Sequence, residues 1–341
     1  MVIRFFQNRV GGRGAPDVEA LRTREDSDRL VTALNHHEPA VREAAASALG
    51  DVGGSEAIPP LGNALSDSEW MVRRAAVRAL VCILSRYVGL PPPKTGKQQR
   101  NTTNGAGVLS SQGKDQNLDE ALVSRQVSAL VRALQDEAWQ VREAAAEALA
   151  IVAPQMDEQS ERDRLTRALI QSLGDQRSPV RKAAAAALAN QRPAELEELS
   201  AALNHSDWER QEGAALALSL LGQKSKDPDL QAKVVALLTG MSSDPDPRLR
   251  LSAVRALGQV GQGLADTKPT VVEPLTIATT DQDGQVRESA ARALGRIGDA
   301  QAARALIDLL EDPKESVRST AAQALDRLAR AQGIQTGPLR T

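Results

Sequence analysis

Aromatic residues are scarce in this sequence, at 2% of 341 residues. The six aromatic residues are Phe5, Phe6, Trp70, Tyr87, Trp139 and Trp208. Any helical interior must therefore be filled mainly by Ala, Leu, Val and Ile. Side chains of this size let neighbouring helices approach closely, since the distance between packed helices depends on the side chains at the contact.

Cysteine, net charge and long apolar runs are also lacking. Cys82 is the only cysteine and lies in an apolar run, so no intrachain disulfide can form and a reducing compartment is expected. The 42 Lys and Arg residues nearly balance the 44 Asp and Glu residues, which favours neither nucleic acid nor an anionic membrane surface. Residues 1–10 lack the apolar segment of a signal peptide, and no run could span a bilayer. We expect a cytoplasmic protein without membrane insertion.

What the sequence does contain is an internal repeat, clearest in residues 136–149. An acidic residue is followed five positions later by an apolar residue, here called the anchor, then by Arg and an alanine-rich stretch. The anchors of the eight copies are Val41, Val72, Val141, Val180, Arg210, Leu249, Val286 and Val317. Apolar residues at the anchor and three, four, seven and eight positions later form one stripe on a helix. Such a repeat indicates one elongated helical body.

Each copy predicts a pair of helices, A and B, with helix B beginning near the anchor. About eight such pairs are expected within residues 25–332. Residues 1–24 are basic and contain a Gly and Pro cluster, which predicts a flexible arm. Residues 89–117 are rich in Pro, Gly and polar residues and predict a disordered insertion. Residues 333–341 form a C-terminal tail.

The recurring Asp and Arg of the repeat are expected to serve the structure. The Asp lies in the turn before helix B, where it can cap free N–H groups. His36 and His205 replace it in the first and fifth copies and are interpreted as polar turn residues with the same capping role. Stacked repeats would bring each Arg close to the acidic turn of a neighbour, forming a ladder of ion pairs. Because this Arg recurs in seven copies, a catalytic role is not expected.

The pattern L-x-D-x-x-x-x-V-R-x-x-A-A-x-A-L-G-x-x-G resembles HEAT-like repeats, in the short-period form of the phycobilin lyase type, over about residues 25–332. The resemblance implies an all-α fold, a right-handed α-solenoid of HEAT-like helical hairpin repeats whose B helices line a concave face. Proteins of this type include bilin lyases, a metal-dependent deoxyhypusine hydroxylase and many scaffolds. The hydroxylase needs several His-Glu pairs for two irons, whereas this chain has one, His37-Glu38. We therefore expect no metal site.

The absence of a recognisable catalytic set favours a non-enzymatic scaffold or assembly factor. Such a protein would hold a protein partner on the concave face and need no cofactor. The alternative is a bilin lyase-like enzyme or chromophore-attachment chaperone acting on a phycobiliprotein. This alternative stays open, because such a lyase mainly has to hold a tetrapyrrole and an acceptor protein.

Two groups of residues are candidates for contact with the partner. The position two residues after each anchor forms a row of mixed charge, with Arg74, Glu143, Lys182, Glu212, Leu251 and Glu288 as candidates. The aromatic candidates are Trp70, Trp139 and Trp208, two residues before the anchor, and Phe5 and Phe6 in the arm. The tryptophans either pack over a neighbouring turn or form an exposed row of binding anchors. The basic arm and insertion predict an acidic partner that the arm clasps.

The fifth copy departs from the pattern at three positions. Arg210 replaces the apolar anchor, Gln211 replaces the ladder Arg, and Gly213 lies inside the helix. These changes predict looser local packing. They arise either from drift or from selection for a bend or a contact site.

Overall fold

The computed structural model describes residues 16–87, 120–152, 154, 159–191, 196–263 and 268–332. These residues form seventeen α-helices joined by turns and short 3-10 helices, with no β-strand among them. The predicted all-α solenoid fold is confirmed. The chain divides into two compact units, Met1–Ala168 and Leu169–Thr341.

The first unit contains seven complete helices and most of an eighth. In chain order they are α1 (Val18–Thr23), α2 (Ser27–Ala33), α3 (Pro39–Val52), α4 (Ile58–Ala64), α5 (Trp70–Tyr87), α6 (Glu120–Ala133), α7 (Trp139–Val152) and α8 (Gln159–Ser172). Helices α3, α5 and α7 pack side by side, and α2, α4 and α6 each pack against the helix that follows in the chain.

The second unit repeats this arrangement. Its helices are α9 (Ser178–Leu188), α10 (Leu196–Leu203), α11 (Trp208–Lys224), α12 (Pro228–Met241), α13 (Pro247–Gly263), α14 (Lys268–Ala278), α15 (Gly284–Ile297), α16 (Ala303–Asp308) and α17 (Glu315–Ala331). Helices α9, α11, α13, α15 and α17 pack in sequence, each against the next. The odd-numbered helices from α3 onward are therefore the B helices, and each begins two residues before its anchor.

Alanine and leucine at fixed positions form the contacts of the B helices. All eight carry Ala seven residues after the anchor, and each of these residues is buried: Ala48, Ala79, Ala148, Ala187, Ala217, Ala256, Ala293 and Ala324. The next residue is Leu in every copy. The scarcity of aromatic side chains is thus matched by a core of small and branched residues, which allows close helix approach.

Glycine tightens this contact further at some of the joints between B helices. A Cβ atom added to Gly295 of α15 would lie 2.6 Å from the Cα atom of Ala324 in α17. A Cβ atom on Gly258 of α13 would lie 2.6 Å from the Cβ atom of Ala293. Both glycines occur nine residues after their anchors, so the same register of helix against helix recurs along the second unit.

The segment predicted as a flexible arm is folded at its C-terminal end. Residues Val18–Thr23 form α1, the Asp17 carboxylate accepts the N–H of Ala20 at 3.0 Å, and Leu21 is buried against its surroundings. Arg22 also donates to Asp51 of α3 at 2.9 Å. The predicted boundary at residue 24 is therefore corrected to about Asp17, because an N-cap and one buried leucine stabilise a short helix there. Residues 1–15, 89–117 and 333–341 lie outside the described residues.

The close approach at Gly295 leads to a test of the packing. We expect Gly295→Ala to lower the free energy of unfolding by about 1–3 kcal/mol, because the added methyl group forces α15 and α17 apart. Urea denaturation would measure the change. Gly240→Ala in α12 is the matched control, since nothing lies within 4 Å of its added Cβ atom, and it should raise stability by up to about 1 kcal/mol. Equal effects of the two substitutions would contradict this account.

Candidate functional site

In four copies the Arg that follows the anchor forms a bidentate ion pair with the acidic turn residue of the next copy. Arg250 donates from Nε and Nη2 to the two carboxylate oxygens of Asp281, at 2.7 and 2.8 Å. Its Nη1 atom donates to the carbonyl oxygens of Asp244 and Pro245 in its own turn, both at 3.0 Å. The same pairing joins Arg42 to Asp67, Arg73 to Asp136, and Arg287 to Asp312. The predicted ladder is confirmed for these pairs.

Each ladder Asp also accepts the backbone N–H two residues later, at the residue directly before its own helix B. The Oδ1 atom of Asp281 accepts the N–H of Asp283 at 2.8 Å, while the same carboxylate receives Arg250. The arginine bond is the main reason why the pKa of Asp281 lies below its ordinary value. The same cause lowers the pKa of Asp67 and of Asp312. One carboxylate therefore links the start of a helix to the preceding repeat.

The two histidines at this position are polar turn residues, as predicted, but the predicted capping role is wrong, since α3 has no side-chain cap and Asp207 caps α11. Nδ1 of His36 accepts the N–H of Glu38 at 3.1 Å, and Nδ1 of His205 accepts the N–H of Asp207 at 3.0 Å. An imidazole ring, however, cannot receive a bidentate arginine as a carboxylate does. His205 therefore keeps the turn hydrogen bond before α11 but interrupts the ladder.

The fifth copy interrupts the ladder on its donor side as well. Gln211 donates to the carbonyl oxygen of Leu203 at 2.7 Å and makes no hydrogen bond to the next turn within the described residues. Asp244 of that turn still accepts the N–H of Asp246. The Nε atom of Arg210 is buried without a hydrogen-bond partner among the described residues. The packing at Gly213 is close rather than loose as predicted, since a Cβ atom there would lie 2.6 Å from the backbone oxygen of Leu173.

The interruption frees Arg181 of α9 for other contacts. Because His205 stands at the ladder position of the next turn, Arg181 forms an ion pair with Glu212 of α11 instead. Its guanidinium carbon also lies 5.9 Å from the ring centroid of Trp208, and that of Arg248 lies 4.6 Å from the same ring. Trp208 thus has cation–π contacts to two arginines from neighbouring B helices.

The tryptophans are half-buried at the first residue of their B helices. In the first unit Arg74 lies 5.2 Å from the ring centroid of Trp70. Trp139 occupies the equivalent place on α7. The sequence allows two roles for the three tryptophans, packing over a neighbouring turn or forming an exposed row of binding anchors. Phe5 and Phe6 lie outside the described residues.

The row two residues after each anchor is accessible to solvent but uneven. Lys182 is exposed, whereas Arg74, Glu143, Glu212, Leu251 and Glu288 are half-buried. Arg74 lies 3.9 Å from Glu43, the corresponding residue of α3. Burial, with a smaller contribution from Glu147, raises the pKa of Glu143 above its ordinary value. Neighbouring B helices therefore bring these side chains together within each unit.

A second outward-facing set was missed by the sequence analysis, which considered only the position two after the anchor. Positions six and ten after the anchor are mostly exposed, and on α13, α15 and α17 they carry Arg255, Arg292, Arg296 and Arg327. Arg292 pairs with Glu288, but the other three have no ion pair or hydrogen bond within the described part of the chain. This part of the second unit is therefore basic although the whole chain has a net charge of −2.

The remaining candidate groups give little chemistry. Cys82 of α5 is half-buried, and burial raises the pKa of its thiol, so at neutral pH it is protonated. Over the described ranges, no cluster of three or more His, Cys, Asp or Glu side chains could hold a metal ion. No helix in those ranges combines the length and apolar character needed to cross a membrane.

Comparison with protein families places HEAT repeats along both units. A family model for HEAT repeats matches residues 19–85 and 272–336, one for a HEAT-like repeat matches residues 208–260, and one for a HEAT repeat matches residues 127–156. None of these models is specific to the phycobilin lyase type. No curated protein matches the chain.

Solved structures show the same fold at low sequence identity. Kap95p, solved in a study of its binding to RanGDP, is 16% identical with a TM-score of 0.62 over 94% of this chain and 41% of that chain. Kap121p is 17% identical with a TM-score of 0.52 over 90% of this chain and 38% of that chain. YibA of E. coli is 18% identical with a TM-score of 0.45, over 94% and 99% of the two chains. The first two likenesses support the solenoid fold.

The ladder predicts a specific loss of stability. Arg250→Ala should lower the free energy of unfolding by about 1.5–3 kcal/mol, because it leaves the mostly buried Asp281 carboxylate without its charged donor. Arg318→Ala is the control, since Arg318 makes the same carbonyl bonds but has no carboxylate partner among the described residues. Its loss should be about 1 kcal/mol. Urea denaturation of both variants checks the difference, and equal losses would assign the stability to the carbonyl bonds alone.

The lowered pKa of Asp281 predicts a pH dependence. Its folded-state pKa lies below its ordinary value of 3.8, so its pairing adds stability above that pH and loses it as the pH falls through the folded-state pKa. Asp281→Asn keeps a side-chain oxygen that can accept the N–H of Asp283 but removes the titrating group. We expect a less stable protein at neutral pH and a shallower decline below about pH 4. Denaturation at several pH values would show this, with exposed Asp308→Asn unchanged from the original protein.

Proposed function

We propose that this chain, which carries HEAT repeats in both of its compact units, is a non-enzymatic scaffold or assembly factor for a protein partner. The ladder arginines and aspartates use their hydrogen-bonding groups on each other and on the turns, so they serve stability. The side chains left for binding are those on the outward positions of the B helices. The fold likeness to Kap95p, which binds RanGDP, is consistent with a protein partner.

The observation that carries this proposal is the unpaired arginine set on the B helices of the second unit. Arg255, Arg296 and Arg327 are exposed and make no ion pair within the described residues. Exposed charges of one sign on adjacent helices attract a surface of opposite sign and set its orientation. The partner is therefore proposed to be an acidic protein. The arm with Phe5 and Phe6 stays a sequence prediction for a further contact.

Affinity capture with two charge-reversed variants tests the proposal. Arg296→Glu with Arg327→Glu should lose the captured partner, because like charges then face its acidic surface. Lys233→Glu with Arg304→Glu makes the same change in net charge at exposed positions on the A helices α12 and α16, and should retain it. Quantitative mass spectrometry of proteins captured from the source organism measures both outcomes, and added salt should weaken capture by the original protein.

Two results would overturn the proposal. One is capture of the same proteins by both variants, or of none by the original protein. The other concerns the bilin lyase-like alternative, which rests on the sequence resemblance alone. Covalent attachment of a bilin to an apo-phycobiliprotein by the purified protein would make it an enzyme rather than a scaffold.

A further inference from the structure

An open groove crosses three consecutive B helices of the second unit at the interruption of the ladder. It has a volume of 160 Å³ and lies over α11, between α9 and α13. Its lining includes Ser178 and Lys182 of α9, Glu212 and Leu216 of α11, and Arg255 and Gln259 of α13. The groove therefore joins side chains from the fourth, fifth and sixth copies of the repeat.

The centre of the groove is apolar because α11 differs from the other B helices. Leu216 lies six residues after the anchor, where the other copies carry Ser47, Arg78, Glu147, Ala186, Arg255, Arg292 and Gln323. Leu220 follows one turn later, and both leucines are half-buried. Covering this partly exposed leucine with another apolar side chain lowers the free energy, because apolar surface is removed from water.

The rim of the groove carries uncompensated positive charge. Lys182 and Arg255 are exposed and have no hydrogen bond or ion pair within the residues that the structure describes. The single carboxylate of the lining, Glu212, is already paired with Arg181. That pairing exists because His205 stands in place of the aspartate that Arg181 would otherwise bind. The interruption of the ladder thus neutralises the only acidic group of the groove.

We propose that this groove binds an acidic segment of the protein partner, in which an apolar side chain covers Leu216 and flanking carboxylates pair with Lys182 and Arg255. The inference rests on the proposed scaffold function and assigns the chemistry of one contact within it. An apolar centre between two cations matches a peptide that alternates acidic and apolar residues. A nucleic acid backbone would supply the charges but no aliphatic side chain for Leu216.

A peptide-binding measurement tests the proposal with a defined probe. The probe is a short fluorescein-labelled peptide in which Glu-Leu-Glu triplets are separated by Gly and Ser, and fluorescence anisotropy measures its affinity for the full chain. Lys182→Glu with Arg255→Glu should weaken binding by about tenfold or more, because both salt contacts become repulsive. Leu216→Ala should weaken it by about fivefold, through loss of apolar contact. The control variant Lys233→Glu with Arg304→Glu should bind as the original protein does.

Matched peptides separate the sources of affinity. Replacing Leu by Ser or Glu by Gln in the probe should reduce binding, whereas a Lys-Leu-Lys peptide should bind the Lys182→Glu, Arg255→Glu variant more tightly than the original protein. The control variant Lys233→Glu with Arg304→Glu has the same net charge and should not show this gain. Equal binding of the Ser-substituted peptide would identify a general polyanion surface and overturn the proposal, as would full affinity in the charge-reversed variant.

The same experiment distinguishes the two proposals. If the probe fails to bind but partner capture still depends on Arg296 and Arg327, the scaffold function stands and the groove assignment falls. If the probe binds as expected but no partner is captured, the groove stands and the scaffold function falls.

Discussion

The structure depends on one carboxylate that makes two kinds of contact at every joint where the ladder is present. An aspartate such as Asp281 accepts the N–H of Asp283, the N-cap residue of its own B helix, and receives Nε and Nη2 of Arg250 from the preceding repeat. Secondary structure and the stacking of repeats are therefore coupled, since the helix start that is capped is also the one held by the neighbour. Because the pair is mostly buried, solvent screens it little, and its geometry is set by five directed hydrogen bonds.

The same coupling explains why the fifth repeat is the exception from which a binding surface can arise. His205 preserves the hydrogen bond to the N-cap residue Asp207 and removes the ion pair, so helix α11 still begins at the same position in its repeat while Arg181 contacts Glu212 and Trp208. Gly213 keeps α11 in close contact with Leu173. The helix packing is thus retained, while Arg181, which lacks a ladder partner, contacts Glu212 and Trp208.

Much of the fold could be predicted from the sequence because its determinants are local and recur. The anchors, the alanine stripe and the ladder all follow from residue spacing within one repeat. Helix α1 was missed because the Gly and Pro cluster before it outweighed the short signal of Asp17 and Leu21. The groove was missed because it combines Lys182, Leu216 and Arg255 at different positions of three helices, and because Glu212 gives no sign in the sequence that it is already paired. The apolar residues six and ten after the anchor of α11 were the signal available.

The uniform alanine seven residues after every anchor has a consequence for how such a chain can change over generations. Each B helix presents the same alanine to its neighbour, so a glycine such as Gly295 would fit against the alanine of any copy. Duplication or deletion of a whole helix pair would then leave the same alanine contact at every joint. The array can therefore lengthen or shorten by whole repeats. The ladder interruption stays with the copy that contains His205 and Gln211.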